Sequence, residues 1–249
     1  MDLGLQGQVA VVTGASRGLG AAIAAAFADE GMHVVVAARS TADLDALGGS
    51  RHGAFHPVGC DVSDPEQVAG LVAVAHEVFG RLDVIVSNAG IAPAAAFVDM
   101  PLHRWREVLD VNLMAPVALA QAAAPHFLAQ GRGKVLHVAS TSGLRGKPTL
   151  AAYSASKGAL LRFTEALAGE WAPHNIQVNA IAPGAFATEA QRAVLDDPAV
   201  LTRRLRKIPT GRMGLPAEIG PLACYLASSA SDFVTGAVYV IDGGESSKL

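Results

Sequence analysis

Short apolar runs, rich in valine and isoleucine, recur along the chain with helix-length segments between them. They are VAVV at 9–12, HVVVA at 33–37, FHPVGCDV at 55–62, LDVIVSNAG at 82–90, KVLHVAS at 134–140, IQVNAIAPG at 176–184 and AVYVIDGG at 237–244. Continuous runs of this length predict strands covered on both faces, and strands alternating with helices predict βαβ units. The expected fold class is α/β, a doubly wound (Rossmann) parallel sheet of about seven strands with helices on both faces. With 249 residues, 51% of them hydrophobic, the chain can bury one large core. No linker, repeat or low-complexity segment divides it, so residues 1–249 are expected to form a single domain.

TGASRGLG at 13–20 lies where the first strand should end and the first helix begin. Gly14, Gly18 and Gly20 permit a tight turn and close approach of a pyrophosphate, whose charge meets the N–H groups and positive dipole end of the helix. Ser16, Arg17 and Leu19 belong to the same turn. A fold of this kind that uses NAD usually offers an acid at the end of the second strand. Here the segment reads VAARST, so Arg39, beside Ser40, is expected to clamp a 2′-phosphate with Arg17 on its other side. NADP(H) is therefore preferred, with NAD(H) left open. Asp61 and Val62 end the third run and suit the adenine; Asn88, Ala89 and Gly90 end the fourth, where a flat cofactor must pass. Taken singly, helix capping at Asp61 and a turn at Asn88 to Gly90 stay open as alternatives.

Tyr153 and Lys157 stand four apart in AAYSASKGAL and share one helix face, with Ser140 upstream at a strand end. An ammonium beside a phenol favours its ionised form and brings its pKa down from about 10. Such a phenol can exchange a proton with a carbonyl or hydroxyl oxygen. No acid or histidine is spaced for a serine-nucleophile triad, and the Gly-x-Ser-x-Gly elbow is missing.

A net charge of −3 and 16% charged residues leave no basic field for nucleic acid. Cys60 and Cys224 stand far apart, outside any CxxC, and predict reduced thiols in a cytoplasmic compartment. No apolar run reaches the roughly 18 residues of a membrane span, and MDLGLQGQVAVVTG does not read as a secretory signal. Ser247-Lys248-Leu249 spells a peroxisomal address, which works only in a eukaryotic source. His52 and His56 are four apart, but Gly53 and Pro57 oppose a helix there, so no metal is expected. His137 is expected to be a satisfied interior or interface histidine.

Along nearly its whole length the chain resembles the short-chain dehydrogenase/reductase family, through TGASRGLG, CDV at 60–62, SNAG at 87–90, VN at 111–112, VASTSG at 138–143, YSASK at 153–157, VNAIAPGAFAT at 178–188 and VTGAVYVIDGG at 234–244. The resemblance implies that Ser140 hydrogen-bonds the substrate oxygen and Tyr153 transfers the proton. It implies that Lys157 binds the ribose and tunes the phenol, and that Asn112 supports a water relay through its helix backbone. Pro183, Gly184 and Thr188 match positions that contact the nicotinamide carboxamide and phosphates. One departure is Ser87, where the family usually has Asn.

The segment at about 185–210 interrupts the strand-helix alternation and, by resemblance, closes as a lid over substrate. Within it, Arg203, Arg204, Arg206 and Lys207 read as a solvated helix face, while Arg145 and Lys147 are better placed to meet a substrate carboxylate. EWAPHNIQVNAIAPGAFATE is most similar to sugar-acid dehydrogenases of the gluconate 5-dehydrogenase type. Two alternatives remain: a 3-oxoacyl carrier-protein reductase, docking its carrier near Arg132 and Lys134, and a catalytically silent cofactor-binding regulatory protein. Apolar residues on more than one side of the helices at about 102–130 and 151–171 predict a homo-oligomer, a homotetramer by resemblance.

Overall fold

The computed structural model describes residues 2–45 and 54–247. His52, Lys248 and Leu249 lie outside them, so the His52–His56 spacing and the Ser-Lys-Leu end have no structural counterpart here. In chain order the strands are β1 (Val9–Thr13), β2 (His33–Ala38), β3 (Phe55–Gly59), β4 (Val84–Ser87), β5 (Gly133–Val138), β6 (Ile176–Pro183) and β7 (Val238–Ile241). The helices are α1 (Gly18–Asp29), α2 (Thr41–Asp45), α3 (Pro65–Phe79), α4 (Leu102–Leu109), α5 (Ala115–Gln130), α6 (Thr141–Leu144), α7 (Ala151–Trp171), α8 (Arg192–Leu195), α9 (Pro198–Leu205) and α10 (Gly220–Ala227).

Among the described residues, seven strands form one sheet in the order β3-β2-β1-β4-β5-β6-β7, every pair parallel. Why the apolar runs do not alternate is visible in β1. Ala10 and Val12 face a core built with Ile23 and Phe27 of α1 and Leu226 of α10, whereas Val9 and Val11 face one built with Leu71 of α3 and Phe127 of α5. Each face is buried, so neither tolerates a polar residue. The two edges depart from the sequence expectation: β3 and β7 are only partly buried, and Val240 is 43% exposed. Pro57 fits β3 for the same reason, since an edge strand can dispense with one ladder N–H.

Several predicted runs extend past their strands. Residues 60–62, 88–90, 139–140 and 242–244 are loops at the C-terminal strand ends, where the chain leaves the ladder. The helix expected at about 102–130 is continuous but contains a π turn, Asp110–Met114, between α4 and α5. By length and composition this run could cross a membrane, contrary to the expectation from shorter apolar stretches. Its residues Leu119, Ala123 and Phe127 are buried against the sheet beside α3.

The segment after β6, which interrupts the strand-helix alternation, carries helices of its own. A 3-10 turn, Glu189–Gln191, leads into α8 and α9, and Leu195, Leu201 and Leu205 pack on Ala185, Ile208 and Met213 as a small core of their own.

Candidate active site

Strand order reverses between β1 and β4, and the crevice outside such a reversal is where ligands bind in open parallel sheets. After β1, Gly14 and Gly18 have φ of 64° and 62°, a region open to glycine with little strain. A Cβ on Gly14 would lie 2.8 Å from the Cα of Ala89, and one on Gly20 would collide with the Asn88 amide and the Gly14 carbonyl. Arg17 occupies the N-cap of α1 without a side-chain cap, and the first turn holds no acid. The leading N–H groups of α1 thus have no intrahelical partner and meet no carboxylate of their own turn, the arrangement that receives an anion.

Asn88 braces this turn. Its Nδ2 donates to the carbonyls of Thr13 and Gly14, both at 3.0 Å, while Thr13 Oγ1 accepts from the N–H of Asn88 at 3.1 Å and of Ala89 at 3.3 Å. Thr13, which sequence reasoning passed over, is therefore as much a part of the turn as its glycines. Ser16 is partly buried and Leu19 packs on the core. A Cβ on Gly18 would sit 3.6 Å from the Thr188 methyl, so the start of the segment after β6 lies against the turn. There Arg17 Nη1 stands 3.5 Å from Glu189 Oε2, an exposed pair that the sequence did not anticipate.

Arg39 is exposed at the end of β2, and its charge helps to hold the Asp61 carboxyl below its ordinary range, after the larger contributions of the Ser63 N–H and hydroxyl. Ser40 Oγ accepts from the Asp43 N–H at 3.4 Å. Asp61 does not cap α3; Asp64 does, accepting from Glu66 and Gln67, while Val62 packs on the core beneath. Gly90 lies beside Asn112 and Lys157, where a Cβ would be 3.2 Å from Asn112 Oδ1 and 3.6 Å from Lys157 Nζ. Pro183 is buried, and Gly184 donates its N–H to Ile241 at 2.9 Å, against Asp242.

Ser140 ends the β5 segment as the N-cap of α6, its Oγ accepting from the Ser142 N–H at 3.0 Å. The same side chain stands close enough to the Tyr153 phenol to favour its ionised form. Gly143 brings these groups together: a Cβ there would be 2.7 Å from the Lys157 carbonyl carbon and 2.9 Å from the Gly158 nitrogen, so α6 rests directly on the backbone of α7. Lys157 is 3% exposed and donates from Nζ to the Val138 carbonyl at 2.7 Å.

The electrostatics differ from the sequence expectation. Burial raises the Tyr153 phenol above its ordinary value, opposed by the Ser140 side chain, and burial lowers Lys157 to about 8. The ammonium stands 6.0 Å from the centre of the phenol ring and is tied to Val138, so desolvation outweighs its pull on the phenol.

Asn112 is fully buried in the π turn. Its Oδ1 accepts from the Ile91 N–H at 2.8 Å, and its Nδ2 donates to the Ile91 carbonyl at 2.9 Å and to Ser156 Oγ at 3.0 Å. Ser156 Oγ in turn donates to the Tyr153 carbonyl at 2.8 Å. Asn112 therefore locks the loop after β4 to the turn of α7 that presents Tyr153, with Ser156 as the link that sequence reasoning missed. Its position inside YSASK was the available signal. His137 is half satisfied: Nδ1 meets Thr164 Oγ1 at 2.9 Å while buried Nε2 has no partner, and burial holds its pKa at about 3.

Known proteins resemble the chain along nearly its whole length. The family profile described as Enoyl-(Acyl carrier protein) reductase matches residues 14–246. A 2-dehydro-3-deoxy-D-gluconate 5-dehydrogenase of Dickeya dadantii (strain 3937) is 38% identical over 245 residues, covering 96% of this chain and 96% of that protein. The chain belongs to the short-chain dehydrogenase/reductase family. Another of these dehydrogenases, the gluconate 5-dehydrogenase of Gluconobacter oxydans (strain 621H), is 34% identical over 247 residues, 96% of this chain and 95% of that protein. Among solved structures of similar fold, a gluconate 5-dehydrogenase from Burkholderia cenocepacia J2315 in complex with NADP and tartrate has a TM-score of 0.92 at 34% identity, covering 98% of this chain and 97% of that one. As a short-chain dehydrogenase/reductase the protein is an oxidoreductase acting between CH–OH and C=O on a small molecule.

A dinucleotide fits the residues present. The uncapped start of α1, the glycine positions that a Cβ would fill and the small residues Ala89 and Gly90 make a cradle for a phosphate-bearing, flat group.

Proposed function

We propose that the protein reduces the keto group of a sugar acid, or oxidises the corresponding alcohol, with NADP(H) preferred over NAD(H). One observation carries the chemistry: the Ser140 side chain stands beside the Tyr153 phenol, and Lys157, one helical turn on from Tyr153, is buried with its Nζ next to Gly90. When bound, the dinucleotide supplies or accepts the hydride. Gly14, Ser16, Gly18, Leu19 and Gly20 would hold its pyrophosphate, with Arg39, Ser40 and Arg17 toward the adenosine ribose and its 2′-phosphate and Asp61 and Val62 toward the adenine. Asn88, Ala89, Gly90, Pro183, Gly184 and Thr188 would line the rest.

Ser140 donates to the substrate oxygen and Tyr153 passes its proton to that atom. A phenol raised by burial holds its proton at neutral pH, which suits it to act as the acid in carbonyl reduction. The Lys157 ammonium, still the main form at neutral pH, stabilises negative charge on the phenol oxygen as the proton leaves.

Similarity to the sugar-acid dehydrogenases of Dickeya and Gluconobacter supports the substrate class. Against the carrier-protein alternative, both cations near residue 130 are engaged: Arg132 with Asp83 at 3.3 Å, and Lys134 with Asp232 at 2.6 Å. A screen of NADPH oxidation over keto-sugar acids, 3-oxoacyl thioesters, steroids and simple ketones tests the assignment, and turnover confined to thioesters would overturn it.

The cofactor preference rests on Arg39, exposed at the end of β2 with no acid in VAARST, and on the NADP bound in the Burkholderia structure. Arg39→Asp is expected to shift the NADPH-to-NADH ratio of kcat/KM by roughly 100-fold toward NADH, through loss of a phosphate partner and gain of a repelling charge. An unchanged ratio would mean that Arg39 does not meet the 2′-phosphate.

We further propose that residues 185–210 form a lid, that residues 1–249 act as one domain, and that the protein assembles as a homotetramer. Exposed Leu102, Met114 and Leu128 on the long helical run support assembly. Light scattering coupled to size exclusion is expected to give four times the 25.5 kDa chain mass, and a stable monomer would remove the assembly proposal. The bacterial sources of the relatives support work in the cytoplasm.

A further inference from the structure

The loop between α6 and α7 carries Lys147, and the Arg204–Glu245 ion pair joins α9 to the turn after β7 within electrostatic reach of it. Lys147 is half-buried, and it feels Glu245, Arg204, Lys207 and Asp242, in that order, besides the burial that lowers its pKa. Its loop is fixed to the catalytic helix, because the Lys147 N–H donates to Ser154 Oγ at 3.2 Å, one residue from Tyr153. The loop is also strained. Thr149, a β-branched residue, has φ of 65°, and its carbonyl accepts from the Ala95 N–H at 3.0 Å.

The charges around Lys147 are unequally committed. Arg204 forms a two-armed ion pair with Glu245, its Nη2 arm at 2.6 Å, and only 20% and 16% of the two side chains are exposed. Arg204 is therefore not part of a solvated helix face. Asp242 accepts from the N–H groups of Gly244 at 2.8 Å and Ser246 at 2.6 Å, which holds its carboxyl below the ordinary range despite partial burial. Lys147 and Lys207 form no ion pair among the described residues. The cluster carries three cations and two carboxylates, a net charge of +1, and of these Lys147 sits on the loop that joins Ser140 to Tyr153.

We infer that Lys147 receives the carboxylate of the substrate, with Lys207 adding to the field and the Arg204–Glu245 pair fastening α9 to the turn after β7 beside it. The inference deepens the keto-sugar-acid reading and rests on it. Lys147 is suited to the role because a half-buried ammonium holds its partner in a lower dielectric than a surface lysine does. Arg145 is exposed at the rim of the same loop and is not needed for it.

The test compares a keto-sugar acid with the neutral keto-sugar in which a hydroxymethyl group replaces the carboxylate. Wild type is expected to favour the acid. Lys147→Met should lower kcat/KM for the acid about 30-fold, mostly through KM, the worth of one charge-assisted hydrogen bond. It should leave the neutral sugar unchanged, and Lys147→Arg should restore most of the loss. Equal losses on both sugars in Lys147→Met, or none on the acid, would overturn the subsite and leave the keto-sugar-acid reading standing. A wild type that turns over no keto-sugar acid would defeat that reading before any variant is made, and the subsite with it.

Discussion

Tyr153→Phe is expected to cut turnover by roughly 1,000-fold, the scale of a positioned proton donor, while the Kd for NADPH stays within about twofold. The phenol oxygen is the only atom removed. Its loss takes away the proton and the phenol's interaction with Ser140, yet leaves the ring to fill its site on α7. Lys157 should keep its place, because its anchor is the Val138 carbonyl and not the phenol. Steady-state NADPH oxidation and fluorescence titration of the dinucleotide separate the two effects. A variant that retained turnover would remove Tyr153 from the chemistry, and a collapse of NADPH binding would mean that the phenol organises the site instead of reacting in it.

Gly143→Ala should be nearly as damaging although it touches no reacting atom. The added methyl would sit within 2.9 Å of three backbone atoms of Lys157 and Gly158, and backbone cannot swing aside as a long side chain can. Helix α6 must move off α7, taking the Ser140 N-cap with it, and a displacement of about 1 Å in a catalytic group can cost about 100-fold in rate. Overpacking of this kind also destabilises by about 2 kcal/mol. Gly146→Ala, in the same loop, meets nothing within 4 Å and should behave as wild type. Activity and thermal melting of the pair check the prediction, and equal behaviour would mean that the α6–α7 contact does not set the position of Ser140.

Much of this architecture is legible before folding. The apolar runs mark the seven described strands, the five inner ones because buried parallel strands cannot alternate, and the loop motifs occupy strand ends because those residues lie beyond the ladder. Prediction fails where partners come from distant segments. Nothing local signals that Arg204 pairs with Glu245, that Arg17 meets Glu189, or that Ser156 joins Asn112 to Tyr153. The tuning of Tyr153 also escaped, because helical spacing gives the proximity of Lys157 but not how much water is excluded around either group.

By itself the sequence determined the strand-and-helix order, the glycine turn at the start of α1 and the presence of Ser140, Tyr153 and Lys157, all matters of short-range pattern. Tertiary structure decided the electrostatics: which cation faces which carboxylate, which hydroxyl is buried, and that Lys147 lies among charges from three segments. The physical reason is that desolvation and Coulomb interactions depend on distance through space, which chain order does not specify.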